Sequence, residues 1–125
     1  MKKKVMLFFV IAMGLVGCGN VLADPAQDEA IKKGREHFNI FCSNCHGVSA
    51  DGKGPLVSSL KIIAPDLTAM KQTGGDMCIT ERVLMAVAGV HNAATGQEQK
   101  MPTFSGNLEG ITIYEISQYI KSIQK

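Results

Sequence analysis

Phe41-Cys42-Ser43-Asn44-Cys45-His46 is the stretch on which the reading of this chain turns. It contains C-x-x-C-H. Two intervening residues set the sulfurs at neighbouring points of one helical turn, and the His that follows at once is presented beside them. This is the attachment pattern of c-type haem, in which both thiols bond to the haem vinyl groups and the imidazole takes one axial position on iron. Three other uses compete. A structural zinc site asks for four ligands, and beyond Cys42 and Cys45 only Cys78 remains downstream. A thioredoxin-like dithiol would sit near a βαβ pattern, which the chain lacks. A plain Cys42–Cys45 disulfide would leave His46 without a part.

Upstream of the motif, Asp24 suits an N-cap and Pro25 the first turn. Ile31, Gly34, Phe38 and Phe41 then recur every three or four residues, so the spacing predicts a helix from Pro25 to Phe41. Before it come Lys2, Lys3 and Lys4, an apolar run from Val5 to Val16, and small and polar residues, the order of an export signal over residues 1–23. The apolar run falls well short of the ~20 residues a membrane-spanning helix needs. Two processing sites compete: Val21-Leu22-Ala23, which frees Asp24, and Leu15-Val16-Gly17-Cys18, similar to a bacterial lipobox, in which Cys18 would carry a lipid and attach the protein to a membrane. Cleavage after Ala23 leaves residues 24–125 as one domain. It also leaves ten of the thirteen Lys and Arg against all eleven acids, so the basic charge of the whole chain belongs to the signal. No basic cluster remains that would point to nucleic acid.

Downstream, residues 47–65 are rich in Gly, Ser and Pro and read as a long loop. Ile79, Val83, Val87 and Val90 mark a second helix ended by Gly89. A polar loop over residues 92–100 leads to Met101-Pro102. Thr112 and Glu115 then form a capping-box signature for a last helix, with Ile113, Ile116, Ile120 and Ile123 as its buried stripe. No segment alternates long enough to predict a strand, so the fold class is all-α. Three helices and the aromatics Phe38, Phe41, Phe104, Tyr114 and Tyr119 make a thin core for such a domain. A large flat apolar group such as haem would fill it.

Taken together these features resemble the class I cytochrome c family over nearly the whole chain after the signal. The resemblance implies the cytochrome c fold, three main helices and long loops around one covalent haem c held by Cys42 and Cys45, with His46 as axial ligand. It also implies a close crossing of the first and last helices at Gly34 and Phe38 against Ile116 and Tyr119. Pro55, nine residues after His46, is similar to the family's Gly-Pro, whose proline carbonyl accepts the proton on the outer imidazole nitrogen. Pro65-Asp66-Leu67-Thr68 looks like a segment that borders the haem and is read as shape. Met101-Pro102-x-Phe104 stands where the family places its second axial ligand, and a thioether there favours Fe(II) and raises the potential. Met70 and Met77 lack a following proline, Met85 falls inside a helix, and His91 would make a His/His variant. His37 is read as a surface residue and Cys78 as a buried thiol.

The function these residues support is one-electron transfer between redox donor and acceptor proteins, with no catalytic group required. Two alternatives stay open: a haem enzyme or sensor that admits peroxide or a diatomic gas, with His91 as its evident distal group, and a dedicated electron-transfer subunit of a larger oxidoreductase. The near-neutral charge after the signal predicts a weak dependence of electron transfer on salt.

Overall fold

The computed structural model describes residues 24–90, 101–104 and 106–125, which form helices and no strand. The expected export signal with Cys18, and His91 with residues 92–100, lie outside the described residues. Helix α1 (Pro25–Phe41) begins as its sequence predicts: the Asp24 side chain accepts from Ala26 N at 3.0 Å, and the Asp24 carbonyl takes the amides of Gln27 and Asp28. A single turn, α2 (Ser43–His46), follows at a bend in Cys42, and α3 (Pro55–Leu60) comes next. A 3₁₀ turn (Leu67–Ala69) runs into α4 (Met70–Thr73). Helix α5 (Ile79–Val87) and helix α6 (Gly110–Ser122) complete the described elements.

The frame is α1 packed across α6, with α5 also packed against α6. At the first crossing Gly34 is buried because nothing larger fits: a Cβ there would overlap the backbone carbonyl of Glu115. The close approach brings Phe38, fully buried, against Tyr119, with ring centroids 5.3 Å apart and tilted by 56°, and against Ile116. Each such burial stabilises by about 1.5–3 kcal/mol. Val83 and Val87 of α5 face the same core. Ser117 of α6 is fully buried and donates to the Tyr114 carbonyl at 2.7 Å, its hydroxyl lying 3.3 Å from that of Thr80 in α5.

Several local expectations are corrected. The 47–65 segment is not all loop, because Pro55 opens α3 from a Gly54 carbonyl that accepts from Val57 N, and Lys61 closes it in the left-handed region at φ 51°. One and a half turns are too short to show a period. Helix α6 starts at Gly110 with Glu109 as N-cap and no side-chain cap, so Thr112 and Glu115 lie inside it and make no capping box. Glu115 instead puts Oε2 3.2 Å from His37 Nε2, which makes His37 a half-exposed partner of a buried carboxylate rather than a plain surface residue. Val90, beyond Gly89, is 53 % exposed and leaves the stripe of α5. Ile116 and Ile120 are buried, with Ile113 and Ile123 packed at the margin as the α6 stripe requires.

Candidate functional site

Helix α1 delivers the Cys-x-x-Cys-His turn. Cys42 N still donates to Phe38 O, but its backbone (φ −118°, ψ −31°) bends the chain, and its own carbonyl starts α2 by accepting from Cys45 N at 3.2 Å and His46 N at 2.9 Å. Ser43 Oγ ties the turn back to Asn39 O at 2.6 Å. Gly47, at φ 77°, then reverses the chain so that the following loop folds back over α2. Two bonds hold it there: Gly52 N to His46 O at 2.9 Å and Gly54 N to Cys45 O at 3.1 Å. Gly54 is needed for contact, since a Cβ would overlap the carbonyls of Asn44 and Cys45.

The return of the loop decides the partner of His46. Leu67 N donates to Ala50 O at 2.8 Å, and this lays Pro65 beside the buried imidazole, with Pro65 O 3.4 Å from Nδ1. The expectation for Pro55 is thereby corrected: Pro55 is exposed at the start of α3, and its Gly-Pro serves by the close packing of Gly54. A carbonyl only accepts, so this contact is a hydrogen bond in the tautomer that carries the proton on Nδ1, the one that leaves the Nε2 lone pair for a metal. Burial lowers the His46 pKa, opposed by the bond to Pro65, and so favours the neutral ring, the form in which an imidazole can ligate a metal.

Cys42 and Cys45 are not joined in a disulfide. Burial, followed by the neighbouring Cys45, pushes the Cys42 thiol up to about 12. No cluster of three His, Cys, Asp or Glu suited to a metal ion occurs among the described residues, and a structural zinc site asks for four ligands.

Two clefts meet at this turn. The larger, about 200 Å³, is lined by Cys42, Cys45, His46, Pro65 and Met101, with Phe41 and Phe104 edge to face at 6.5 Å in its wall. The smaller, about 60 Å³, is lined by Cys42, His46, Val83, Val87 and Met101. Met101 is brought here from outside the helices: Phe104 N donates to Val87 O at 3.0 Å, which holds the Met-Pro segment against the end of α5. Of its rivals, Met70 is buried and lines only the smaller of these two clefts, Met85 is half-buried in α5, and Met77 is 40 % exposed in a separate cleft of about 230 Å³. Cys78, expected to be buried, is half-buried at the N-cap of α5 in that same separate cleft.

The donor set fits a covalently held haem: two thiols and a neutral imidazole on one turn, and a thioether from another segment lining the same apolar clefts. Leu56 and Ile63 line the larger cleft while 39 % and 95 % exposed, so an apolar group seated there removes their surface from water. Sequence reasoning took Pro65-Asp66-Leu67-Thr68 only as shape and missed the contact of the Pro65 carbonyl with His46, and it missed the pairing of His37 with Glu115, for which no local signal exists.

The family model described as cytochrome C oxidase, cbb3-type, subunit III matches residues 29–120. No curated protein and no solved structure matches the chain.

Proposed function

Because the chain belongs to the cbb3-type subunit III family, a class I monohaem c-type cytochrome family whose members transfer electrons through covalently bound haem c, we propose that it is an exported one-electron carrier with a single haem on Cys42 and Cys45 and His46/Met101 axial ligation. The observation that carries this reading is that Cys42, His46 and Met101, drawn from two distant segments, line the same two clefts. One C-x-x-C-H in the sequence supports one haem.

When bound, haem supplies the iron that cycles between Fe(II) and Fe(III). Each residue then has a plain task. Cys42 and Cys45 would retain the group covalently, and the Pro65 carbonyl would orient His46 by accepting from Nδ1–H. Met101 offers a soft sulfur that favours Fe(II). Phe41, Phe104 and Leu56 keep water from the apolar faces. His46 and Met101 would together hold the iron, and the electron-transfer reading asks no residue of this chain to serve as general acid or base.

Redox donor and acceptor proteins are the partners of such a domain. The family's description favours a second, compatible reading in which the acceptor is one terminal oxidase that the chain serves as a dedicated subunit. A lipid on Cys18 would tether it there, and intact-mass measurement of the processed protein separates cleavage before Cys18 from cleavage after Ala23.

The deciding experiment is the visible spectrum of protein expressed with a c-type maturation system. A c-type reduced spectrum, a long-wavelength sulfur-to-ferric-iron band, and no change with carbon monoxide are expected. Met101→Ala should keep the covalent haem, lose the sulfur band and lower the potential, and His46→Ala should prevent stable holoprotein. A sulfur band that survives Met101→Ala moves the ligand elsewhere, and rapid carbon monoxide binding by the wild type favours an open-site sensor or enzyme.

A further inference from the structure

Cys78 has no part in the haem reading. It stands at the N-cap of α5, a position that favours Ser, Thr, Asp or Asn, and its side chain does not cap the helix. Its half-buried thiol opens on the separate cleft of about 230 Å³, and Met70 and Met77 line that same cleft. Met70, at the start of α4, is buried there, whereas Met77, in the turn that leads into α5, is 40 % exposed. Arg82 holds the two segments together: its backbone amide donates to Cys78 O at 3.1 Å, and its guanidinium donates to the Met70 carbonyl. Three sulfur side chains from two segments are thereby kept around one cleft.

The lining selects among ions. Hard dications ask for several oxygen ligands, but the only carboxylate in this cleft is that of Asp76, and Lys71 and Lys121 oppose a second positive charge. Thioether sulfur lies outside the His, Cys, Asp and Glu donors weighed above; together with a thiolate it selects Cu(I). Three rotatable bonds let each Met side chain bring its sulfur to an ion. We propose that Met70, Met77 and Cys78 form a three-sulfur site for one Cu(I) ion, distinct from the clefts at the Cys-x-x-Cys-His turn. On binding, a Cu–S bond replaces the S–H bond of Cys78, the proton passes to solvent, and no electron is transferred. The resulting copper–thiolate pair carries no net charge, which suits a partly buried place.

The test is an anaerobic titration of the processed holoprotein with Cu(I), in ascorbate and against a chromophoric Cu(I) chelator. Haem attachment would consume Cys42 and Cys45, so neither competes for the ion. One equivalent is expected to bind, with an affinity that rises by about tenfold per pH unit while the free thiol is protonated, and Zn(II) should not displace it. Cys78→Ser should abolish uptake. Met70→Leu and Met77→Leu, which conserve volume, should each weaken it by at least the roughly 10–100-fold that loss of an outer-shell partner costs a metal site. X-ray absorption at the copper edge of the wild type should count three sulfurs, a readout that needs no variant. No uptake, uptake that survives Cys78→Ser, or a different sulfur count overturns the proposal. So does uptake that needs Cys78 but is unchanged in both Met variants, since that is the behaviour of a thiol acting alone.

Discussion

Replacing Gly34 by Ala puts a methyl group where α1 and α6 touch backbone to backbone. The Cβ would overlap the carbonyl oxygen and carbon of Glu115 and press on Ile116 N at 3.1 Å, and no side chain stands between that could swing aside. The helices must separate, and a radial gap of about 0.5–1 Å forfeits a quarter to a half of each dispersion contact across it. Phe38, Ile116 and Tyr119 meet at this crossing. Losing that share of three burials of about 1.5–3 kcal/mol costs on the order of 3 kcal/mol. Ala gains about 1 kcal/mol over Gly in helix propensity, so the net destabilisation is about 2 kcal/mol. For a domain near 100 residues this lowers the midpoint by about 8–16 °C. Urea unfolding of the holoprotein, followed by far-ultraviolet circular dichroism, should show a lower midpoint with unchanged slope. A Gly34→Ala protein as stable as wild type, or more so, would mean that helix propensity outweighs the crossing, and would refute the tight α1–α6 contact as the element that sets this frame.

Other consequences are open to direct measurement. Gln124 joins the end of the chain to the site-bearing segment, its Oε1 accepting from Lys71 N at 2.8 Å and its Nε2 donating to Leu67 O at 2.8 Å and Ile120 O at 2.7 Å. Gln124→Ala should cost about 1–3 kcal/mol and raise hydrogen exchange at Lys71, whereas unchanged exchange there would mean that the tie is not maintained in solution. Asp66 accepts from both the amide and the hydroxyl of Thr68, and these bonds, with Lys125 nearby, lower its pKa from the ordinary 3.8. Its contribution to stability is therefore complete above that value and is lost as pH falls below it. The stability difference between wild type and Asp66→Asn should hold steady near neutrality and shrink in acid, and a difference that grows as pH falls would contradict the assignment.

How far the sequence could be read depended on distance along the chain. Helices α1, α5 and α6 were legible because an apolar residue every three or four positions specifies both a helix and the face it buries. Pro25, Asp24 and Gly89 punctuated them for equally local reasons. That Cys42, Cys45 and His46 share one turn was legible because their spacing is itself local geometry, whereas the meeting of Met101 with that turn in the same clefts was expected only through the family resemblance. Helix α3 was hidden by its brevity, and the false capping box at Thr112 by the fact that Glu115 had a better partner in another helix.

What the sequence by itself determined is thus the fold class, the three main helices and the turn that groups Cys42, Cys45 and His46, all consequences of bonds and contacts within a few residues of each other. Only the tertiary structure decided that Pro65 rather than Pro55 faces His46, that Glu115 meets His37, and that Met70 comes to one cleft with Met77 and Cys78. Each of those choices is made by the return path of a loop or the crossing of two helices. The bonds that select it, such as Leu67 N to Ala50 O and Phe104 N to Val87 O, join backbone groups, which every residue but proline carries alike and which therefore leave no mark in the order of side chains.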